Sequence, residues 1–476
     1  MMAKKKKVAA KKNLAAANGY DAVESSGKRR AASSVLKHED EVLDARKRRV
    51  MTGGMSGLYR NFSMVSWAVR KHLDYNSAYR FQVHTEDQAF NEELESLMGQ
   101  WSRPATCDAS GRMTLAQIIR TSESRRVLDG DCFWVKLNRG SLSVAEGDRI
   151  QNPPKNETGE DWYNGVQVNR DGRPIRYGLY NRTRRSGYEF ARTLRAENVI
   201  PIIGYDRFDQ QRGISPLACA YNSFADLYEG VDYALAKMKV EQLFALVIQS
   251  TSGSGTGEYS RNGDGTYDVD FGRGPVKLEL DNDDEAKFLT SDNPGSNTQD
   301  FIQLVLSMAI KALDLPQNFA DESRTNFFGS RAAWMLYDRS CESKRSIMLE
   351  ALRKMTIWKF QDWIRRGELT LPAGMTVNDI AFEWVHVGMP WWDPSKEIEA
   401  DVMAISAGLD NPFRIVKERG RGSFEDNLKQ IARANELAES LGVELSFNVS
   451  AAPEEDMTSE EWDTEEEESD EDEVEE

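Results

Sequence analysis

Cysteine and histidine are scarce in this chain, with four of each in 476 residues. Cys107, Cys132, Cys219 and Cys341 stand far apart, without a CxxC pair or a neighbouring histidine. That spacing excludes a disulfide framework and the usual zinc patterns, and each thiol reads as a small, reduced core residue. His38 and His72 fall in charged helical stretches, His84 in a polar stretch and His386 in a strand, all read as surface or core residues without a chemical duty. No window approaches the ~18 uninterrupted apolar residues of a membrane span, so no membrane contact is expected. The basic opening MMAKKKKVAAKKNLAAANGY lacks the apolar centre of a secretion signal, which reads as a chain that stays inside its cell.

Catalytic signatures are missing too. There is no GxSxG elbow, HExxH pair or P-loop. Gly253, Gly255 and Gly257 invite a phosphate-loop reading, but no GK[ST] follows them and a linker fits better. Asn262, Asp264, Asp268 and Asp270 resemble the start of a calcium loop whose closing carboxylate is absent, Arg273 or Pro275 standing there instead. The expectation is a protein that is not an enzyme, with no catalytic residue, metal or cofactor.

What is present is a strong polarity of charge. Of the net −17, the stretch Ala451–Glu476 carries sixteen Asp and Glu without one Lys or Arg, so the rest of the chain sits near −1. Residues 1–50 carry fourteen Lys and Arg against six Asp and Glu. A basic flexible arm over 1–50, a near-neutral body and an acidic tail over 451–476 follow. The arm is a solvated segment or a contact for nucleic acid or a partner; the tail repels DNA or engages something basic. At ~100–200 residues per domain, the length calls for more than one compact unit.

The 3.6-residue period predicts a possible short helix near Glu39–Arg49, then helices over Asn61–Tyr75, Asn91–Trp101 and Thr114–Asp129, the last burying Leu115, Ile118, Ile119 and Leu128. Short runs at Asp131–Leu137, Arg149–Gln151, Asn164–Val168, Pro174–Tyr180 and Asn198–Ile203, punctuated by Asn-Pro, Asp-Gly and Ser-Gly, read as a mostly antiparallel sheet. The fold class is α+β. Gln211–Gln249 reads as one long helix: Ser215 caps it, Pro216 fits its first position, and Gly213 makes the approach turn. Leu217, Tyr221, Phe224, Tyr228, Val231, Leu235 and Met238 draw a 4-3-4-3 seam along it, which suits a coiled coil or a core helix.

After the Gly/Ser/Asp-rich 250–275 come an amphipathic helix over Thr298–Leu313, with Phe301, Leu304, Val305, Met308 and Leu313 on one side, and a second rod over Ser330–Arg366 that Gly367 ends. Ile380–Val387 reads as a strand. Three capped helices follow, opened by Asp393–Pro394, Asn411–Pro412 and the capping box Ser423/Asp426, and closed by Gly408, Gly420 and Gly442.

The order of QRGISPL (211–217), IKALDLPQNFA (310–320), TNFFGSRAAW (325–334) and MPWWDPSKEIEADVMAISAGL (389–409), with VKERGRGSFEDNLKQ after it, resembles the lambda-type family of tailed-phage portal proteins over roughly residues 50–445. The family's YSS-R signature stands here as Phe327, Phe328, Gly329, Ser330 and Arg331; its W-x-x-VDP-x-KE pattern stands as Trp392, Asp393, Pro394, Lys396 and Glu397, shortened after the tryptophan. The arm and tail lie outside that pattern. The resemblance implies a ring of identical subunits, twelve in the family, at one capsid vertex. Double-stranded DNA is packaged and ejected through its axis, and the terminase large subunit, the major capsid protein and head-completion or tail adaptor proteins are partners.

In those terms 51–210 is a strand-rich wing, 211–249 a stem helix and 250–297 a clip. Residues 298–366 supply helical wing and a second stem helix, 367–410 a strand, a tunnel-loop region at 388–396 and a helix, and 411–450 a helical crown. Gly213, Ser215, Pro216, Leu217, Ser330, Arg331, Trp392, Asp393 and Pro394 become structural motif residues. Trp391, Trp392, Lys396 and Glu397 become candidates to face DNA in a mainly acidic channel, and Phe224, Val231 and Leu235 candidates for a helix-seam interface. A non-enzymatic oligomeric scaffold that binds nucleic acid through its basic arm is the alternative.

Overall fold

The computed structural model describes residues 36–154, 162–184, 187–243, 246–250, 284–288, 296–321, 327–387, 394–420 and 422–443. It is α+β, and the chain divides into two compact units at His386/Val387.

The first unit opens with α1 (Glu39–Val42), α2 (Ala45–Asn61) and α3 (Ser63–Asn76). The helical order begins well inside the segment expected to be an arm: Asp44 caps α2 by accepting from the Arg46 and Lys47 amides, and Asp40 and Arg48 are buried. Strand β1 (Tyr79–Val83) follows, which no sequence signal marked, then α4 (Gln88–Trp101), α5 (Pro104–Cys107) and α6 (Leu115–Asp129). Thr114 and Gln117 form a reciprocal capping box at the start of α6, and Leu115, Ile118, Ile119 and Leu128 are buried as the period requires.

The strand-rich part makes two sheets rather than one. Strands β2 (Asp131–Lys136), β3 (Leu142–Glu146) and β8 (Val199–Ile203) pair in the order β3-β2-β8; β4 (Trp162–Tyr163), β5 (Val166–Val168), β6 (Pro174–Thr183) and β7 (Gly187–Arg195) form a meander. All these ladders are antiparallel. The expected strand at 149–151 is instead the end of a 3-10 turn and a single bridge from Ile150 to Leu179. Central strand β2 is buried on both faces. Phe133 and Val135 join the layer between the two sheets, while Cys132 and Trp134 join a core built with α4, α6 and the later helix α9 (Phe327–Arg366). The Trp134 indole N–H donates to Ser122 Oγ at 2.8 Å, so its burial leaves no polar atom unpaired.

Residue 215 is followed by a 3-10 turn (Pro216–Ala220), then α7 (Tyr221–Leu243) and strand β9 (Leu246–Ser250), which pairs with β10 (Asp284–Phe288). The expected single helix over 211–249 is therefore shorter at both ends, and its last residues are a strand. Next come α8 (Ser296–Ile310), a 3-10 turn to Leu313 and α9, which is 40 residues long and ends at Gly367 with φ +73°, the left-handed cap that glycine favours. A third core holds α2, α3 and the C-terminal end of α6 against the first turns of α7, the last of α8 and the middle of α9. Strand β11 (Phe382–His386) pairs with β1 and closes the unit across 300 residues of chain, in register Tyr79 to His386 through Val83 to Phe382.

The second unit contains α10 (Pro394–Ser406), α11 (Pro412–Glu418) and α12 (Phe424–Leu441). Asn411 and Ser423 cap the latter two through their side chains, and Gly408, Gly420 and Gly442 all have positive φ. The Gly-rich stretch 253–275 and the acidic tail lie outside the described residues.

Candidate functional site

The QRGIS motif is the joint between sheet and helix. Arg212 is 1% exposed, and its guanidinium donates to both Asp131 oxygens (2.6 and 2.9 Å) and to the carbonyls of Gly147 (2.6 Å), Ile150 (2.9 Å) and Asn164 (2.5 Å). Its face lies 5.3 Å from the Phe133 ring. The Gly213 amide donates to Asp131 at 3.0 Å, and the Gly213 carbonyl accepts from Arg48 of α2. Burial pushes the Asp131 carboxyl up, but Arg212, Arg48 and the Gly213 amide outweigh it and hold Asp131 below its ordinary range. Burial and the neighbouring Arg212 bring Arg48 down to about 10.

Two glycines make this packing feasible. A Cβ on Gly213 would stand 2.0 Å from the Gly130 carbonyl oxygen, and one on Gly147 would stand 2.1 Å from Asp131 Oδ1. Ser215 then accepts from the Leu217 amide at 3.2 Å and donates to the Val127 carbonyl at 2.6 Å. Gly213, Ser215, Pro216 and Leu217 are thus brought together, and Leu217 is fully buried. Arg212, Asp131, Arg48 and Asp40, which accepts from the Gln211 amide at 3.0 Å, are the residues that sequence reasoning missed. Beside them Asp129 Oδ1, Asp148 Oδ1 and Arg48 Nε have no hydrogen-bond partner, and their residues line a cavity of about 190 Å³. Burial pushes Asp129 up to about 7, with Arg125 opposing and Glu146, Asp148 and Asp131 adding to the rise.

The seam on α7 divides. Leu217 and Phe224 are 0% exposed inside the subunit's own core, so Phe224 is no surface residue and cannot meet a neighbouring subunit. Val231 is half-buried, and Leu235 is 48% exposed beside Tyr228 and Tyr233. The apolar side read for the helix over 298–313 divides: Phe301, Leu304 and Met308 are each more than half exposed, whereas Leu313 is buried with Ala309 and Ile310 in the core. On α9, Phe328, Met335 and Leu336 are exposed likewise. Ser330 and Arg331 sit in the first turns of α9, both half-buried; one turn on, the Trp334 indole donates to Tyr75 Oη at 3.0 Å and ties the helix to α3.

Trp391, Trp392 and Asp393 lie outside the described residues. Pro394 begins α10, with Lys396 exposed and Glu397 half-buried on its first turn. Glu397 accepts from Arg419 at 2.7 Å, and Arg419 also grips Asp401 through a fork of contacts of 3.0 to 3.2 Å, which joins α10 to the end of α11.

Titratable groups elsewhere serve packing. His72 is fully buried between Glu123 (2.8 Å) and Asn76; burial lowers its pKa, partly offset by Glu123. Burial raises Glu123, but Arg126 and His72 overcome it and bring it down to about 2. Cys107, Cys132 and Cys341 are buried, whereas Cys219 is exposed, against the expectation that all four are core residues. Among the described residues no group of three or more His, Cys, Asp and Glu is placed to hold a metal ion, and no helix is long and apolar enough to cross a membrane.

The chain is built of helices and small sheets, with charged residues used at joints between elements and large apolar side chains exposed on helix surfaces. The chain belongs to the lambda family of phage portal proteins, whose profile matches residues 27–345. Three solved structures are similar at 14% identity. They are the neck of an empty gene transfer agent (GTA) particle computed with C6 symmetry (TM-score 0.46; 78% of this chain, 93% of that one), the virion of a native GTA particle (0.44; 85% and 100%) and the neck of a native GTA particle computed with C12 symmetry (0.44; 83% and 94%). No curated protein matches the chain.

Proposed function

We propose that the chain is a portal subunit: identical copies close a ring, twelve by analogy with the family, at one vertex of a capsid, and double-stranded DNA enters and leaves through its axis. Membership of the portal family supports this reading. The observation that carries it is the apolar surface a single subunit leaves in water, Leu235 on α7, Phe301, Leu304 and Met308 on α8, and Phe328, Met335 and Leu336 on α9. On α8 the spacing is i, i+3, i+7 and on α9 i, i+7, i+8, so each of these helices presents an apolar face to water, the mark of an interaction surface. Heterologous contacts repeated about an axis cover such a surface on every copy and close.

In this reading α7 and α9 supply the stem, the sheets of residues 131–203 the wing, β9 and β10 the base of a clip that meets the terminase large subunit and later the head-completion or tail adaptor proteins, and α10–α12 the crown. The wing meets the major capsid protein. Trp391, Trp392, Lys396 and Glu397 border the channel, whose wall is mainly acidic, because each lysine–phosphate contact adds affinity that retards passage. The assembled ring resides in the virion and carries no catalytic centre of its own.

Negative-stain microscopy of the purified full chain tests the reading. Discrete rings with a central hole are expected. A dimer that binds DNA with a steep salt dependence would instead identify a nucleic-acid-binding scaffold.

A further inference from the structure

Residues 170–195 contain eight arginines, no lysine and two carboxylates. The β4–β7 meander displays a group of them, most without a neutralising partner among the described residues. Tyr177 and Leu194, directly opposite each other on β6 and β7, face the inter-sheet core, so the next pair, Arg176 and Arg195, faces the other way. They stand directly opposite each other, with Gln167 and then Trp162 continuing the row across β5 and β4. Like charges in direct cross-strand register are unfavourable unless something anionic shares them.

Among the described residues the carboxylate that meets this pair is Glu197, 3.4 Å from Arg195, and both groups are well exposed. At the end of the same sheet Arg170 and Arg173 are held by a tight turn in which Asn169 accepts from the Asp171 and Arg173 amides at 3.0 and 2.8 Å. Arg170, Arg173 and Arg176 are exposed, and their guanidinium groups have no acceptor among the described residues. Arg182 is different, because Glu146 and Asp148 neutralise it.

We infer that this face, bearing Arg170, Arg173, Arg176 and Arg195, binds the phosphate backbone of duplex DNA without regard to sequence. Arginine forks match phosphate oxygens, and four exposed ones in rigid sheet and turn positions, three of them without an acceptor among the described residues, make a preformed polyanion contact. An acidic protein would offer carboxylates to the same forks, but protein interfaces are anchored by buried aromatic and apolar side chains. Here the exposed large side chains of the sheet are Ile175 and Tyr188, and the Tyr188 hydroxyl is already engaged with Asp148. The inference rests on the portal reading for the presence of DNA. A conduit that grips phosphate along its path would stall, so this contact belongs away from the path of the moving duplex.

The test measures binding of a short random-sequence duplex to the full chain by fluorescence anisotropy between about 50 and 200 mM salt. Wild type is compared with R170Q/R173Q/R176Q/R195Q and with a variant whose Lys4, Lys5, Lys6 and Lys7 are glutamine. Loss of the four contacts is expected to reduce the log–log salt slope by about 3 to 4 and to weaken binding at least tenfold. If the quadruple variant binds as wild type does, whether or not the arm variant loses binding, the face is not a DNA contact. Microscopy of the same samples separates this failure from failure of ring assembly. Melting of the exposed-residue variant at the wild-type temperature excludes unfolding as the cause.

Discussion

Arg212 and Asp131 are both fully enclosed and pair at 2.6 Å, with Arg48 3.9 Å from Asp131 and Asp40 adding to the field on Arg212. Breaking such a pair from one side leaves a buried charge and, here, takes the guanidinium donor from three backbone carbonyls, of which Gly147 keeps the Ile150 amide at 3.2 Å. Arg212→Ala is expected to lower unfolding free energy by about 3–5 kcal/mol in denaturant titration. Arg212→Lys is expected to recover little, because an ammonium cannot span the fork; a loss under 1 kcal/mol for the alanine variant would show that the joint is dispensable.

Asp129 makes a prediction of opposite character. Its folded carboxyl is raised to about 7 while the unfolded one titrates near 4, so the fold holds a proton there that the unfolded chain lacks, and stability falls as pH rises through this window. Asp129→Asn is expected to remove a pH-dependent loss on the order of 3 kcal/mol, so that melts at pH 5 and pH 8 converge. Unchanged pH dependence in the variant would refute that assignment.

Glycine, serine and proline at 213–216 are legible in sequence because their conformational and capping roles are local. Arg212 is not, since the carboxylate it needs lies 81 residues away and becomes its neighbour only through the sheet.

At the scale of elements, α7 shows where periodicity informs and where it stops. The 4-3-4-3 seam is real as a pattern, yet one half is buried in the subunit and the other meets water, because the core that encloses Leu217 and Phe224 does not extend to Leu235. Its end departs from the periodicity for a physical reason: LFALVIQS is a short apolar run with β-branched residues, which suits a buried helix or a strand equally, and pairing with β10 makes its last five residues a strand. Strand β1 and the two-sheet arrangement were likewise hidden, since they depend on partners such as β11 that lie far along the chain.

The division of the seam separates two substitutions that sequence alone treats as equivalent. Phe224→Asp buries a carboxylate in the subunit core and is expected to prevent folding, with loss of the cooperative melt. Leu235→Asp changes an exposed side chain and is expected to leave the subunit's helical content and melting intact while abolishing rings in the microscope. Rings from Leu235→Asp would remove that part of α7 from the interface.

On the scale of the whole molecule, the second unit raises a question that its own contacts do not answer. Its three helices are well capped and joined by Arg419 and by the edge-to-face pair Phe413–Phe424 at 5.1 Å, but Ala438 is the one buried hydrophobic residue among those described. Met403 and Leu409 near the end of α10 and Leu437 and Leu441 on α12 are all more than half exposed. Capping and one ion-pair fork contribute a few kcal/mol at most, while fixing each backbone residue costs about 1–2 kcal/mol, so helices without a core do not hold together on that basis.

In the proposed ring another copy would supply the missing partner, and the apolar residues of α10 and α12 would form a shared core repeated around the axis. Met403→Ser with Leu437→Ser is therefore expected to spare the melting of the first unit and to lower the temperature at which rings dissociate, followed by light scattering alongside circular dichroism. If rings of the double variant dissociate at the wild-type temperature, the exposed faces of α10 and α12 are not covered by assembly, and the second unit owes its order to another source.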